Sequence, residues 1–228
     1  MTGLDRPVWA SLCTAHLGLS EGDDLARRYL PDVNLFAAAR DDSRAALERL
    51  SALIGPGQQA YVLQAPAIGL APALVAVKRA LGVQMVDSGG QLAQESDEDI
   101  ARLTEADGED MLALATLTEP GPFLTRTHAM GQFLGVRVAG RLAAMAGERM
   151  RFPGYTEVSG VCTHPDFRGR GLARRLSAAV MASIRERGDI PFLHAWKTNT
   201  AAIRLYENLG FEHRCDVHVV VVANAETP

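Results

Sequence analysis

YTEVSGVCTHPDFRGRGLARRLSAAVMASIRERGDIPFLHAWKTNTAAIRLYENLGF, residues 155 to 211, is the stretch whose reading decides the fold. It opens as an alternating, β-branched run, breaks at His164-Pro165, and passes through Arg168-Gly169-Arg170-Gly171 into a segment with apolar residues at Leu172, Leu176, Val180 and Ile184. Spacing of four places those side chains on one helix face, so the sequence predicts strand, glycine turn, helix. Such a turn leaves backbone N–H groups pointing outward at a helix N-terminus, where they and the positive end of the dipole favour a phosphate. No Gly-Lys-Ser/Thr accompanies the turn to hold magnesium, which argues against a nucleoside triphosphate.

Working outward, the sequence predicts a strand at Pro191 to Trp196, a helix at Thr200 to Leu209 and a last strand from Arg214 to Ala223. Upstream come a strand at Ile100 to Leu103 and a helix bearing Met111, Leu112, Leu114, Ala115 and Leu117, stopped by Pro120-Gly121-Pro122. Thr125 to Met130 reads as a further helical turn. Gln132 to Val138 and Arg141 to Phe152 read as strands joined at Ala139-Gly140, a hairpin signal, and Tyr155 to Thr163 as a third antiparallel strand. Strands in a run followed by alternation with helices predict an α/β protein with a mixed sheet.

In the first ninety residues the patterns predict a helix over Arg6 to Leu19, a short helix over Asp23 to Tyr29, and a strand over Asn34 to Arg40. A helix capped from Asp41-Asp42-Ser43 follows, then a strand at Gln59 to Gln64, a helix at Pro72 to Ala80 and a strand at Val83 to Val86. This part contains no phosphate loop, no His and Glu at metal spacing and no nucleophile beside a base; it reads as structural. Asp87 to Glu98 is glycine- and acid-rich, as a linker is. The expected organisation is an N-terminal α/β domain at 1–88, a linker at 89–97 and a second domain at 98–228.

Of the 228 residues 47% are hydrophobic and 22% charged, and mean hydropathy is near zero, ordinary values for a globular protein. A net charge of -4 argues against a partner nucleic acid. Cys13, Cys162 and Cys215 are far apart and odd in number, so neither a disulfide framework nor a metal site is expected. The N-terminus lacks a signal-peptide pattern and no 18-residue apolar stretch occurs, so a cytoplasmic location and no membrane partner are expected.

The element order, with these words inside it, resembles the GCN5-related N-acetyltransferase (GNAT) superfamily, and within it the FR47-like branch. The family's acetyl-CoA signature stands here as Arg168-Gly169-Arg170-Gly171-Leu172-Ala173, preceded by Val161-Cys-Thr-His-Pro165 and followed by Asn199-Thr-Ala-Ala-Ile-Arg-Leu-Tyr-Glu-Asn-Leu-Gly-Phe211. The resemblance covers roughly residues 95 to 223, and the shorter N-terminal order could be a degenerate copy of the same fold. It implies acetyl-CoA as co-substrate, its pyrophosphate on the N–H groups of Arg168 to Ala173. The pantetheine arm would lie along the main chain of Val161, Cys162 and Thr163, with Asn199 reaching it from the next helix. Asn199 reads equally as an N-cap.

The chemistry implied is attack of an amine on a thioester. An alkyl amine with a pKa of about 10 is mostly protonated at neutral pH, so a base must uncover its lone pair. Glu157 matches the family's glutamate base, and burial would raise its pKa and improve it; His194, on the strand facing the expected cleft, is an alternative base. Tyr206 matches the tyrosine that protonates the departing thiolate. Cys162 beside the loop reads as a buried strand cysteine rather than a nucleophile. The helix arm from Met111 to Met130 and the hairpin near Ala139 are expected to line the acceptor side. The acceptor, a small-molecule or protein amine, stays open, as does monomer or homodimer. A reading from another class is a non-catalytic acyl-CoA-binding or sensor protein.

Overall fold

The computed structural model describes residues 2–70, 73–90 and 99–225. In chain order the elements are α1 (Pro7–Leu12), β1 (Ser20–Gly22), β2 (Ala26–Tyr29), β3 (Ala37–Ala39), α2 (Arg44–Leu53), β4 (Gln59–Gln64) and β5 (Leu74–Asp87). Then follow β6 (Ile100–Leu103), α3 (Gly108–Thr118), β7 (Phe133–Val138), β8 (Arg141–Phe152), β9 (Tyr155–Thr163), α4 (Leu172–Glu186), β10 (Ile190–Trp196), α5 (Thr200–Glu207) and β11 (Phe211–Asn224). β1, β2 and β3 form a small antiparallel sheet, and the other eight strands form one mixed sheet in the order β4-β11-β5-β10-β9-β8-β7-β6.

That order corrects the expected organisation in one respect. β4 and β5, from the first 88 residues, are strands of the main sheet, and β5 lies between β10 and β11 with antiparallel pairing to both. A boundary at 89–97 is therefore no boundary of the sheet; residues 91–97 of that linker lie outside the described residues. With β6, α3 and α5 set aside, both parts of the chain run through a similar succession of three antiparallel strands, a helix, a strand and a last strand. In each, the strand after the helix runs parallel to the one before it: Ile190 to Phe192 pair with Tyr155 to Glu157, and Phe36 bridges Tyr61.

Two local expectations fail for the same reason. Asp23 to Tyr29, expected as a helix, contains β2, and the helix expected from Pro72 to Ala80 gives way to a strand beginning at Leu74. Runs such as LVAVKRAL carry apolar residues at spacings compatible with either structure, and ladder partners supplied by distant strands decide. The helix expected over Arg6 to Leu19 ends at Leu12 and passes into turns.

The core confirms the periodicity of the central stretch. Leu172, Leu176, Val180 and Ile184 of α4 are buried against Val158 of β9, Leu193 of β10 and Phe211 of β11. Each such side chain contributes about 1.5–3 kcal/mol on burial, which fixes α4 and the turn before it on the sheet. Among the described residues no helix is long and apolar enough to cross a membrane.

Candidate active site

β9 and β10 separate. Their parallel ladder holds only from Ile190 to Phe192, and beyond it β10 keeps its pairing with β5 while β9 keeps its pairing with β8. The cause is visible in β9, where the register against β8 slips between Gly147 and Met145 at Gly160, whose φ is +63°. An extra residue held in the left-handed region bends a strand away from its neighbour. The gap opens into a cavity of about 850 Å³.

One wall of the cavity is the strand edge and the turn. Val161, Cys162, Thr163, Arg168, Gly169, Arg170, Gly171, Leu172, Ala173 and Asn199 all line it. Gly169 and Gly171 have φ of +76° and +72°, and a Cβ on either would meet no atom within 4 Å, so both face open space. Gly171 is the N-cap of α4 and offers no side chain, which leaves the first N–H groups of the helix without a side-chain acceptor. Arg170 stacks on Phe167 at 5.2 Å and Arg168 reaches the Thr163 carbonyl at 3.4 Å. A bare helix N-terminus flanked by arginines fits a pyrophosphate. Asn199 does cap α5, its Oδ1 accepting from Ala202 N–H at 3.1 Å.

Replacing Gly171 by Ala puts a β-carbon in the left-handed region at a cost of about 1–2 kcal/mol and on the open side of the turn. The expected result is roughly tenfold weaker CoA binding by calorimetry. Unchanged affinity would remove this turn from the binding site.

The opposite wall comes from elements that sequence reasoning treated as structural. Phe36, Tyr61, Leu63 and Gly82 line it, with Val217 and Val219 of β11. From the expected helix arm only the segment Thr118 to Pro122 reaches the cavity, and the hairpin near Ala139 does not. Phe36 and Tyr61 pack edge to face at 5.7 Å, and the Arg149 guanidinium lies 4.9 Å from the Phe36 ring.

Glu157 stands behind this cavity and off its wall, with none of its surface exposed. Arg149 donates to it twice, Nε to Oε2 at 2.8 Å and Nη2 to Oε1 at 2.6 Å; Met150 N–H donates at 3.2 Å and His194 Nδ1 lies 2.7 Å from Oε1. Burial pushes its pKa up, as expected, but the Arg149 charge and hydrogen bonds, with those of His194, outweigh it and hold the carboxyl at about 2. The expected gain in basicity is thus reversed: a carboxylate saturated by donors takes a proton only by giving them up. His194 does line the cavity.

Tyr206 lines the cavity from α5, its ring edge to face with Phe211 at 6.0 Å. Burial pushes its pKa up to about 12, so it keeps its proton at every working pH. Its hydroxyl is available to the cavity as a hydrogen-bond donor. Cys162 is buried among Met111, Met145 and Phe133, and burial raises its thiol to about 11, which leaves it unreactive. Among the described residues no group of three His, Cys, Asp or Glu could hold a metal. Arg149, Phe36 and Tyr61 carry no motif. The one available signal was the isolated apolar-aromatic run QAYVLQ in β4.

The comparisons agree with this geometry. Residues 133–221 match the family described as FR47-like protein. A solved acetyltransferase of the GNAT family from Novosphingobium aromaticivorans is 41% identical, with a TM-score of 0.92, over 99% of this chain and 100% of that one. Mycothiol acetyltransferases from Thermobispora bispora and Salinispora arenicola are 50% and 38% identical over 56 and 97 residues. These matches cover 24% and 40% of this chain but only 19% and 31% of those relatives. With a full-length likeness at 41% identity to a GNAT-family acetyltransferase, the chain belongs to the GNAT superfamily.

Proposed function

We propose that the protein transfers the acetyl group of acetyl-CoA directly to a primary amine. The observation that carries this reading is the gap between β9 and β10, which ends on the bare N-terminus of α4 and has His194 and Tyr206 on its walls. The relatives named as mycothiol acetyltransferases support acetyl transfer as the reaction. The first 88 residues read, by their repeated strand and helix order, as a degenerate second copy of the fold that has come to supply the acceptor wall.

The residues act as follows. The N–H groups of Leu172 and Ala173 with Arg168 and Arg170 hold the pyrophosphate. The unpaired edge of β9 from Val161 to Thr163 orients the pantetheine amides. His194 takes the ammonium proton on Nε2, and Glu157 steadies the resulting imidazolium through Nδ1–H. The amine nitrogen then bonds to the thioester carbonyl carbon and the C–S bond breaks; the acylated nitrogen sheds its surplus proton, the departing thiolate takes it up and leaves as the CoA thiol, and the Tyr206 hydroxyl donates a hydrogen bond to the sulfur. The aromatic and aliphatic wall of Phe36, Tyr61, Leu63, Val217 and Val219 suits an amine carried on an apolar body.

The test is thiol release from acetyl-CoA against arylalkylamines, branched alkylamines, amino acids, polyamines and peptide amines. Consumption with the apolar amines is the expected result. CoA binding without consumption of any amine would make the chain an acyl-CoA-binding protein. In the same assay Tyr206→Phe is expected to lower kcat about 10²-fold with CoA affinity unchanged; an unchanged kcat removes Tyr206 from the reaction.

A further inference from the structure

Gln84 lies toward the C-terminal end of β5, fully buried, directly opposite His194 in the β5–β10 register. Its Nε2 is 2.8 Å from the Leu4 carbonyl and 3.0 Å from His194 Nε2, and its Oε1 accepts from Arg214 Nη1 at 2.8 Å. Arg214 is itself held by Asp5. Only one orientation of the amide satisfies these neighbours, because turning it over would set its NH2 against a guanidinium and its oxygen against a carbonyl. The amide therefore has only N–H to offer His194 Nε2, and a nitrogen that accepts a hydrogen bond there carries no proton. On the other side of the ring, Glu157 accepts from Nδ1.

We propose that Gln84 is a positioning residue that fixes His194 as the Nδ1–H tautomer and keeps Nε2 as a lone pair. The orientation of Gln84 is in turn set by the N-terminal segment through Leu4 and by β11 through Arg214. Glu157 of β9 faces Nδ1 with Arg149 of β8 behind it, while Arg214 and Cys215 of β11 and Asp5 reach the ring only through Gln84. His16 and Tyr29 also lie near the Glu157 carboxylate; burial pushes His16 down to about 4, so it adds no charge at neutral pH. Protonating His194 at rest would aim an N–H at the amide N–H of Gln84, an arrangement with no acceptor. Accepting a substrate proton on Nε2 therefore needs Gln84 to yield its hydrogen bond, which couples the base to the amine's arrival.

That Nε2 serves as the base rests on the function proposed above; where its proton sits does not. Imidazole ¹⁵N–¹H correlation spectra of the full chain, with His194→Phe to assign the ring, decide the placement directly. The expected wild-type spectrum at neutral pH shows a protonated Nδ1 and an unprotonated Nε2, and a proton on Nε2 overturns the proposal. Gln84→Glu replaces the donor with an acceptor, and the imidazole titration midpoint is expected to rise by roughly 1–3 pH units. A midpoint that stays where it was overturns the proposal as well. Should the variant not fold, the wild-type spectrum still decides. If the acidic limb of kcat/KM moves with the midpoint, His194 is the base. If the midpoint moves and the limb does not, the tautomer assignment stands and the base lies elsewhere.

Discussion

Glu157→Gln is expected to cost about 3–5 kcal/mol of stability, the loss that follows when one partner of a buried ion pair is removed and the other charge stays. For a chain of this size the thermal midpoint falls by roughly 6–20 °C. Gln fills the same space and can still bond Met150 N–H, so the loss is that of the charge opposite Arg149. Its pH dependence has a definite sign. The Glu157 carboxyl sits near 2 in the folded protein against an ordinary value of 4.5, so its contribution is complete above about pH 4.5 and is lost as pH falls toward 2. The difference between wild type and Glu157→Gln should therefore be constant from pH 7 to about 5 and shrink below that in urea titrations. Replacing Arg149 and Glu157 together by Met should recover much of the loss. Equal stability of Glu157→Gln and wild type at pH 7 would show that the pair contributes nothing.

His194→Ala is expected to lower kcat by 10²–10⁴-fold, the range for losing a positioned acid or base. CoA affinity should stay within a factor of two or so, since the pyrophosphate and pantetheine contacts lie on α4 and β9. The acidic limb of the rate profile should disappear with the imidazole. A residual kcat within fivefold of wild type would mean that the amine loses its proton to solvent before binding. Because Glu157→Gln also disturbs His194, its kinetic effect should resemble that of His194→Ala, and the double variant should lose little more than either alone.

Much of the glycine-turn wall was legible in the sequence because its determinants are local. Gly169 and Gly171 answer to backbone conformations a few residues long, Asn199 caps the helix that it begins, and the four-residue spacing from Leu172 to Ile184 sets the buried face of α4. Tyr206 was singled out by the family resemblance, and it too lies on a short helix whose start is capped locally. The role of Glu157 was not legible, because whether burial raises or lowers its basicity depends on Arg149, eight residues away along an irregular hairpin. The acceptor wall was less legible still. Phe36, Tyr61 and Leu63 reach the cavity only because β4 and β5 join the strands of the other part of the chain.

The sequence by itself determined the glycine turn, the helix that follows it and the order of strands around them, and with these the place where a pyrophosphate can sit. Short-range sterics and periodicity suffice for that. The tertiary structure alone decided that β5 enters between β10 and β11, bringing Gln84 to His194, and that Glu157 is buried as the counter-ion of Arg149. Those outcomes depend on contacts between residues as far apart as Leu74 and Asn224, and on the balance between desolvation and charge pairing that only the packed interior sets.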